Sequence, residues 1–186
     1  MMSNTRIEKR LSLKAKTLAT LIAVASAVAL PQIFHLLGKL SGLGTALGEV
    51  FLPMHLPILA VGLLAGPWAG SIAGLLSPLL SFALTGMPTT AMLPFMMIEL
   101  SAYGLVIGLM QNSKAPVLVK ILTAQLAGRA IRAVALLIAV YGFESTALPV
   151  SVIWNSIGTG LFGLALQWVL LPLFLYRVEH AMRHDD

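Results

Sequence analysis

The chain has 186 residues, of which 58% are hydrophobic and 10% are charged, and its mean hydropathy is +0.92. Apolar runs recur from end to end, which indicates an all-α integral membrane protein rather than one helix beside a soluble domain. The formal charge of +5 does not indicate nucleic-acid binding, because Lys and Arg lie almost wholly at the ends of these runs, where membrane topology explains them. Cysteine is absent, which excludes disulfides and thiolate metal sites.

The length suits about six spans of about 20 residues with short connections. No linker or charge block marks a second domain, so we predict one domain, 1–186, that forms a six-transmembrane-helix bundle. The basic amino-terminal segment, 1–16, is expected in the cytoplasm, and six spans place Lys114 and the basic carboxyl terminus on the same side. A cleaved secretory signal is the alternative for this region, but the later spans need a retained first helix to set their topology.

The spans are predicted from the apolar runs at 17–30, 53–65, 68–84, 91–110, 117–141 and 148–175. The segment 31–51 is too polar and glycine-rich for a lipid-facing span and is predicted as an outer loop, with a re-entrant form as the alternative. His35 and His55 are too far apart to count as a metal pair and are interpreted as solvated or satisfied histidines. No metal site or cofactor is predicted.

Small residues recur every four positions in two places. A first stripe lies on the first span, and it predicts either packing inside the bundle or a docking surface for a separate protein; its members are Ala15, Ala19, Ala23 and Ala27. The corner between the second and third spans is tight enough to require an antiparallel pair. A second stripe crosses this corner and predicts close backbone approach; its members are Gly62, Gly66, Gly70 and Gly74.

Glu99 is the residue around which the polar groups of the spans are arranged. A charge at mid-membrane costs roughly 2.5–3.5 kcal/mol and persists beside a partner or a wet cavity. With a rise of about 1.5 Å per residue, Glu99 and Asn155 fall roughly 10–12 Å below the outer face, and Arg129 and Arg132 fall roughly 8–12 Å below it. This shared level predicts a cavity open to the outside, walled by the last three spans and roofed by 31–51 and 86–90.

The predicted substrate-binding residues are these four polar groups and two aromatic walls: Glu99, Tyr103, Arg129, Arg132, Trp154 and Asn155. A structural ion pair between Glu99 and one arginine is the alternative. Because one carboxylate cannot neutralise two guanidinium groups, the second arginine favours a carboxylate or phosphate on the ligand. We predict unequal roles for the two arginines, one as the partner of Glu99 and the other as a ligand contact, and helix rotation decides which is which.

No catalytic set is visible. The sequence contains no HExxH, GxSxG or GxxxxGK[ST] pattern, so neither an intramembrane metalloprotease nor an ATPase can be built from it. A transport function for this site therefore requires an energy source in another subunit.

Three segments of the chain resemble the substrate-binding S components of energy-coupling-factor (ECF) vitamin transporters. They are FLPMHLP at 51–57, GPWAG at 66–70 with LLSPL at 75–79, and TGMP at 85–88 with MLPFMMIEL at 92–100. The resemblance implies a ligand cavity in the outer half and docking of the alanine stripe, Ala15 to Ala27, on the transmembrane coupling subunit. It does not identify the vitamin, because S components share a fold while differing in their site residues.

The function we predict is substrate capture in the lipid bilayer of a bacterial or archaeal plasma membrane. The chain would bind a vitamin or related micronutrient from outside, with release driven by the ECF transmembrane coupling subunit and two ATPase subunits. A membrane-embedded enzyme or accessory subunit for a lipid or prenyl substrate, with Glu99 and Arg129 as its polar site, is the main alternative. A self-sufficient small carrier is the third.

Overall fold

Helices dominate the computed structural model, which describes residues 12–44, 46–144, 146 and 148–184. Within these ranges the chain forms seven α-helices: α1 (Leu13–Leu40), α2 (Ala46–Phe51), α3 (His55–Ala65), α4 (Pro67–Thr85), α5 (Leu93–Leu109), α6 (Val117–Leu137) and α7 (Ser151–His184). A π-helical turn, Ile138–Gly142, extends α6. Residues 1–11 of the predicted basic segment lie outside the described residues.

Five stretches of the described chain are long and apolar enough to cross a membrane, and α5 is a shorter apolar helix of 17 residues. One of the five, Ala46–Ala65, consists of α2 and α3 together. The predicted all-α, six-helix membrane bundle is therefore confirmed. Its second span differs from the others because it is broken between α2 and α3.

The prediction of an outer loop for 31–51 is wrong. The helix α1 continues through Pro31 to Leu40, residues 41–44 form a turn, and Ala46–Phe51 form α2. Pro31 cannot donate a helix hydrogen bond, but it is buried inside the bundle, where neighbouring helices support it. Gly48 of α2 lies against the His35 ring, and Gly163 of α7 lies against the backbone at the end of α2. The contacts of Gly48 and Gly163 thus pack α2 against α1 and α7.

A single residue, Gly66, connects α3 to α4. Its φ of 98° is a conformation that L side chains rarely adopt, and Pro67 then begins α4, where its missing N–H is not needed. The corner is therefore as tight as the sequence predicts, and α3 and α4 form an antiparallel pair.

The glycine stripe brings α3 and α4 against α5. A Cβ built on Gly70 would overlap the backbone of Gly104, one on Gly74 would overlap Leu100, and one on Gly62 would reach Gly104 and Ile107. The predicted close approach is confirmed, and its partner is α5. Residues of these three helices, including Ile58, Leu100 and Ile107, form much of the fully buried core.

The helices α6 and α7 are joined by polar contacts instead. The Gln125 side-chain amide donates to Gln167 Oε1 over 3.1 Å, and the Trp168 indole donates to Gln125 Oε1 over 2.8 Å. At the opposite end from the α4–α5 connection, Lys120 Nζ donates to the Gln111 carbonyl over 3.0 Å. Apolar contacts alone allow two helices to pack in several registers, whereas buried hydrogen bonds of this kind favour one register.

Topology is testable by labelling single cysteines in this cysteine-free chain. We expect Thr90→Cys, in the exposed α4–α5 connection, to react with a membrane-impermeant maleimide from outside intact cells. Ser113→Cys, in the exposed α5–α6 connection, should react only after the membrane is opened. External labelling at position 113 would contradict the orientation.

Candidate functional site

A cavity of about 390 Å³ lies at the end of the bundle that carries the α4–α5 connection, the end that the positive-inside rule assigns to the outside. Cavities that bind small molecules typically measure about 300–1,000 Å³. Every described helix contributes to its lining, which consists of Pro31, His35, Gly48, Glu49, Leu52, Pro53, Met54, His55, Ser81, Met87, Pro88, Thr89, Met92, Met96, Glu99, Arg129, Arg132, Val152, Asn155, Ser156 and Thr159.

Glu99 lies in this lining and is 2% exposed. Arg132 Nη1 donates to its Oε2 over 2.9 Å, and the Tyr103 hydroxyl donates to its Oε1 over 3.0 Å. Arg129 Nε lies 4.0 Å from Oε1, and Arg129 Nη1 donates to the Ser156 carbonyl over 3.0 Å. The cluster therefore joins α5 to α6 through Glu99, and α6 to α7 through Arg129.

This geometry distinguishes the roles of the two arginines. Arg132 makes the short, charge-assisted bond to Glu99, whereas Arg129 reaches Glu99 only at 4.0 Å and is anchored on α7. The interval of three residues places the two side chains at neighbouring positions of one helix face, and the rotation of α6 decides which meets the carboxylate. Arg132 is thus the structural partner, and Arg129 has bonding capacity to spare.

The structure brings four of the six predicted site residues to the cavity lining: Glu99, Arg129, Arg132 and Asn155. Tyr103 is fully buried and supports Glu99 from outside the lining. Trp154 is 71% exposed and is not among the described lining residues, so its placement as a cavity wall is wrong. Successive residues of a helix point about 100° apart, so Asn155 faces the cavity while its neighbour Trp154 faces the surface of the bundle.

Glu49, in the segment 31–51 that is predicted to roof the cavity, also lines it, although it is not among the predicted binding residues. The lining therefore holds two carboxylates and two guanidinium groups. Its formal net charge is zero when the histidines are neutral. A count of charges over the whole cavity no longer favours an anionic ligand. Any preference for charge must come from where the groups lie and which of them are already paired.

His55 lies in the cavity lining although it is not among the predicted binding residues. It begins α3, lines the cavity and is 4% exposed, and neither ring nitrogen has a hydrogen-bond partner among the described residues. Its ring lies near that of Tyr103, with centroids 5.2 Å apart. The burial of His55 excludes a solvated histidine, which is one of the two interpretations predicted for this residue. The sequence feature that could have indicated its position in the lining is the segment PMHLP, which places the histidine between two prolines at the start of a span.

Further polar atoms in the lining lack partners within the described ranges. They are Arg129 Nε and His35 Nδ1, both buried. A buried polar group without a hydrogen bond costs about 1–3 kcal/mol, and such groups in natural proteins usually meet a water or a ligand. Their concentration in one cavity is typical of a binding site.

Methionines supply much of the apolar wall, at positions 54, 87, 92 and 96. Met92 and Met96 share the α5 face with Glu99 because they precede it by seven and three residues. Methionine side chains are flexible and polarisable, and they fit flat or irregular apolar ligands. The Met92 sulfur also accepts from Arg132 Nη2 over 3.6 Å.

The alanine stripe of α1 faces two environments. Ala23 and Ala27 are buried in the apolar core, as the packing interpretation predicts, and in this conformation they offer no surface to a separate protein. Ala15 and Ala19 are half-buried nearer the start of the helix. Docking by the whole stripe is therefore incompatible with the helix packing in this structure, and only its first half is accessible.

These features define a class: a multi-pass helical membrane protein with a cavity of solute size in one half of the bundle. The family profile described as "ECF transporter, substrate-specific component" matches residues 16–175. The chain therefore belongs to the family of ECF transporter substrate-specific components, which are transport subunits that associate with an ECF module. Searches among curated proteins and among solved structures found no match.

The two arginines should differ in their effect on stability. We expect Arg132→Ala to lower the free energy of unfolding by about 3–5 kcal/mol, because it leaves the buried Glu99 carboxylate without its short ion pair. Arg129→Ala should cost less, since Glu99 keeps Arg132 and Tyr103. Denaturant unfolding in detergent measures both changes.

Adding Glu99→Gln to Arg132→Ala should restore part of the loss, because the double variant no longer buries an unpaired charge. The same change should not rescue Arg129→Ala. A larger loss of stability for Arg129→Ala than for Arg132→Ala would contradict this assignment.

Proposed function

We propose that this chain is the substrate-capture subunit of an ATP-driven ECF importer in a bacterial or archaeal plasma membrane. It binds a vitamin or related water-soluble micronutrient in the cavity from the outside. The observation that carries the proposal is a solute-sized cavity with buried, unpartnered polar groups, in a member of this family. The transmembrane coupling subunit and two ATPase subunits of the ECF module would supply the energy for release.

The lining chemistry supports a water-soluble ligand over a lipid. Although most of the cavity surface is apolar, charged and hydrogen-bonding groups contribute to the lining from α2, α3, α5, α6 and α7. A lipid or prenyl chain would leave these groups unsatisfied, at the cost of unpaired buried polar atoms. The methionine wall provides an apolar surface for the ligand's body.

Retention of a ligand is the direct test. We expect the protein purified in mild detergent to release a water-soluble micronutrient on denaturation, at close to one molecule per chain, as measured by mass spectrometry with quantified standards. Isolated protein should show no turnover of that molecule. Release of a lipid or prenyl compound at the same stoichiometry would favour the membrane-enzyme alternative.

We propose further that the accessible half of the α1 stripe, Ala15 and Ala19, contacts the coupling subunit. Small side chains allow another helix to approach closely, and this half lies near the end of the bundle assigned to the cytoplasm, where an ATP-driven partner acts.

Ala15→Trp should leave ligand binding to the purified protein unchanged while reducing uptake by cells that carry the full transporter at least several-fold, because a large side chain blocks close helix approach. Ala25→Trp, on an exposed part of α1 away from the stripe, is the matched control and should transport normally. Normal uptake with Ala15→Trp at normal protein levels would remove this surface from the proposal.

A further inference from the structure

We infer that the ligand of this cavity carries a carboxylate, and that this carboxylate binds between Arg129 and His55. The inference rests on the proposed function and specifies its substrate class. It makes His55 a specificity-determining residue, a role that nothing in the family description assigns.

The first step concerns which positive charge is left for a ligand. Both oxygens of Glu99 already accept hydrogen bonds, one from Tyr103 and one from Arg132. Arg129 is the cavity-lining guanidinium with a buried, unpartnered N–H, at Nε, within the described residues. A guanidinium matches the planar geometry of a carboxylate better than that of a neutral acceptor. Arg129 is therefore the group placed to receive an anion.

The second step concerns His55. A neutral imidazole carries one N–H donor and one acceptor, and both nitrogens of His55 are buried without partners in the described chain. A neighbouring ligand carboxylate would satisfy the donor nitrogen. The His55 ring packs beside Tyr103, and its two nitrogens in the lining leave a donor and an acceptor available to a ligand.

The third step is the break in the second span. Leu52 adopts a φ of 48°, an uncommon conformation for a residue with a side chain, and α3 begins three residues later at His55. Pro53, Met54 and His55 all line the cavity, so the amino-terminal end of an 11-residue helix borders it. That end carries partial positive charge, and no side chain caps it. The unpartnered His55 ring lies at this same end.

Charge balance favours a monoanionic carboxylate over a phosphate. With Glu99 paired to Arg132, one guanidinium charge is left in this part of the cavity. A carboxylate neutralises it, whereas a phosphate near neutral pH carries about −1.5 to −2 charge. The excess negative charge would lie in a lining that already holds the carboxylates Glu99 and Glu49.

Matched pairs of acids and neutral analogues test the inference: biotin and biotinamide, pantothenate and panthenol, and nicotinate and nicotinamide. Isothermal titration of the purified wild-type protein should find at least one acid that binds at least tenfold more tightly than its neutral partner. His55→Phe keeps the ring against Tyr103 and removes both nitrogens. It should reduce the affinity for that acid at least tenfold while leaving the melting temperature of the ligand-free protein unchanged or higher.

Two further variants separate binding from structure. Arg129→Gln should abolish the preference for the acid over its neutral partner. His180→Phe, a matched change near the other end of α7 and outside the described cavity lining, should leave both affinities unchanged. A fall in melting temperature for His55→Phe with unchanged acid affinity would show a structural role and overturn the inference.

The remaining outcomes distinguish this inference from the proposed function. Equal affinity for acid and neutral partner, or release of a neutral micronutrient from purified protein that binds none of the acids, would overturn the carboxylate while leaving substrate capture intact. Absence of any released micronutrient together with absence of binding would count against the proposed function itself, and the inference would fall with it.

Discussion

The buried ionic cluster at Glu99 is the interaction on which the outer half of the bundle depends. A carboxylate that is 2% exposed is stable there because Arg132 and Tyr103 satisfy its two oxygens. The contact from Arg129 to the Ser156 carbonyl then extends the connection from α6 to α7. The cluster therefore positions three helices around the cavity, and it places the arginine with spare bonding capacity in the lining.

Different interactions stabilise the two sides of the cavity. On one side, glycines let α3 and α4 contact the α5 backbone directly, and such close packing leaves little freedom for relative movement. On the other side, α6 and α7 are joined by directional bonds among Gln125, Gln167 and Trp168. A ligand in the cavity thus contacts a rigid wall of backbone-packed helices and a wall whose register is set by polar side chains.

The break between α2 and α3 gives the cavity its most specific features. An unbroken helix across 46–65 would satisfy its own backbone groups and present one continuous face. The turn at Leu52 instead brings a helix end, a proline and a buried histidine to the same lining. Broken helices at membrane depth occur where they border protein or a cavity, and here they border both.

Residue patterns alone were sufficient to predict the class of the protein, a six-span bundle, the close approach of the glycine stripe and the grouping of Glu99, Arg129, Arg132 and Asn155. These features follow from hydropathy and residue spacing, which depend only on residues close together in the sequence of each helix. Helix packing was needed to establish that Arg132 and not Arg129 makes the short bond to Glu99, that Trp154 is exposed, and that most of 31–51 is helical. Those outcomes depend on the rotation of each helix against its neighbours. The contacts that set this rotation, such as Gly48 against His35 and Gly163 against the end of α2, join residues that no local pattern connects.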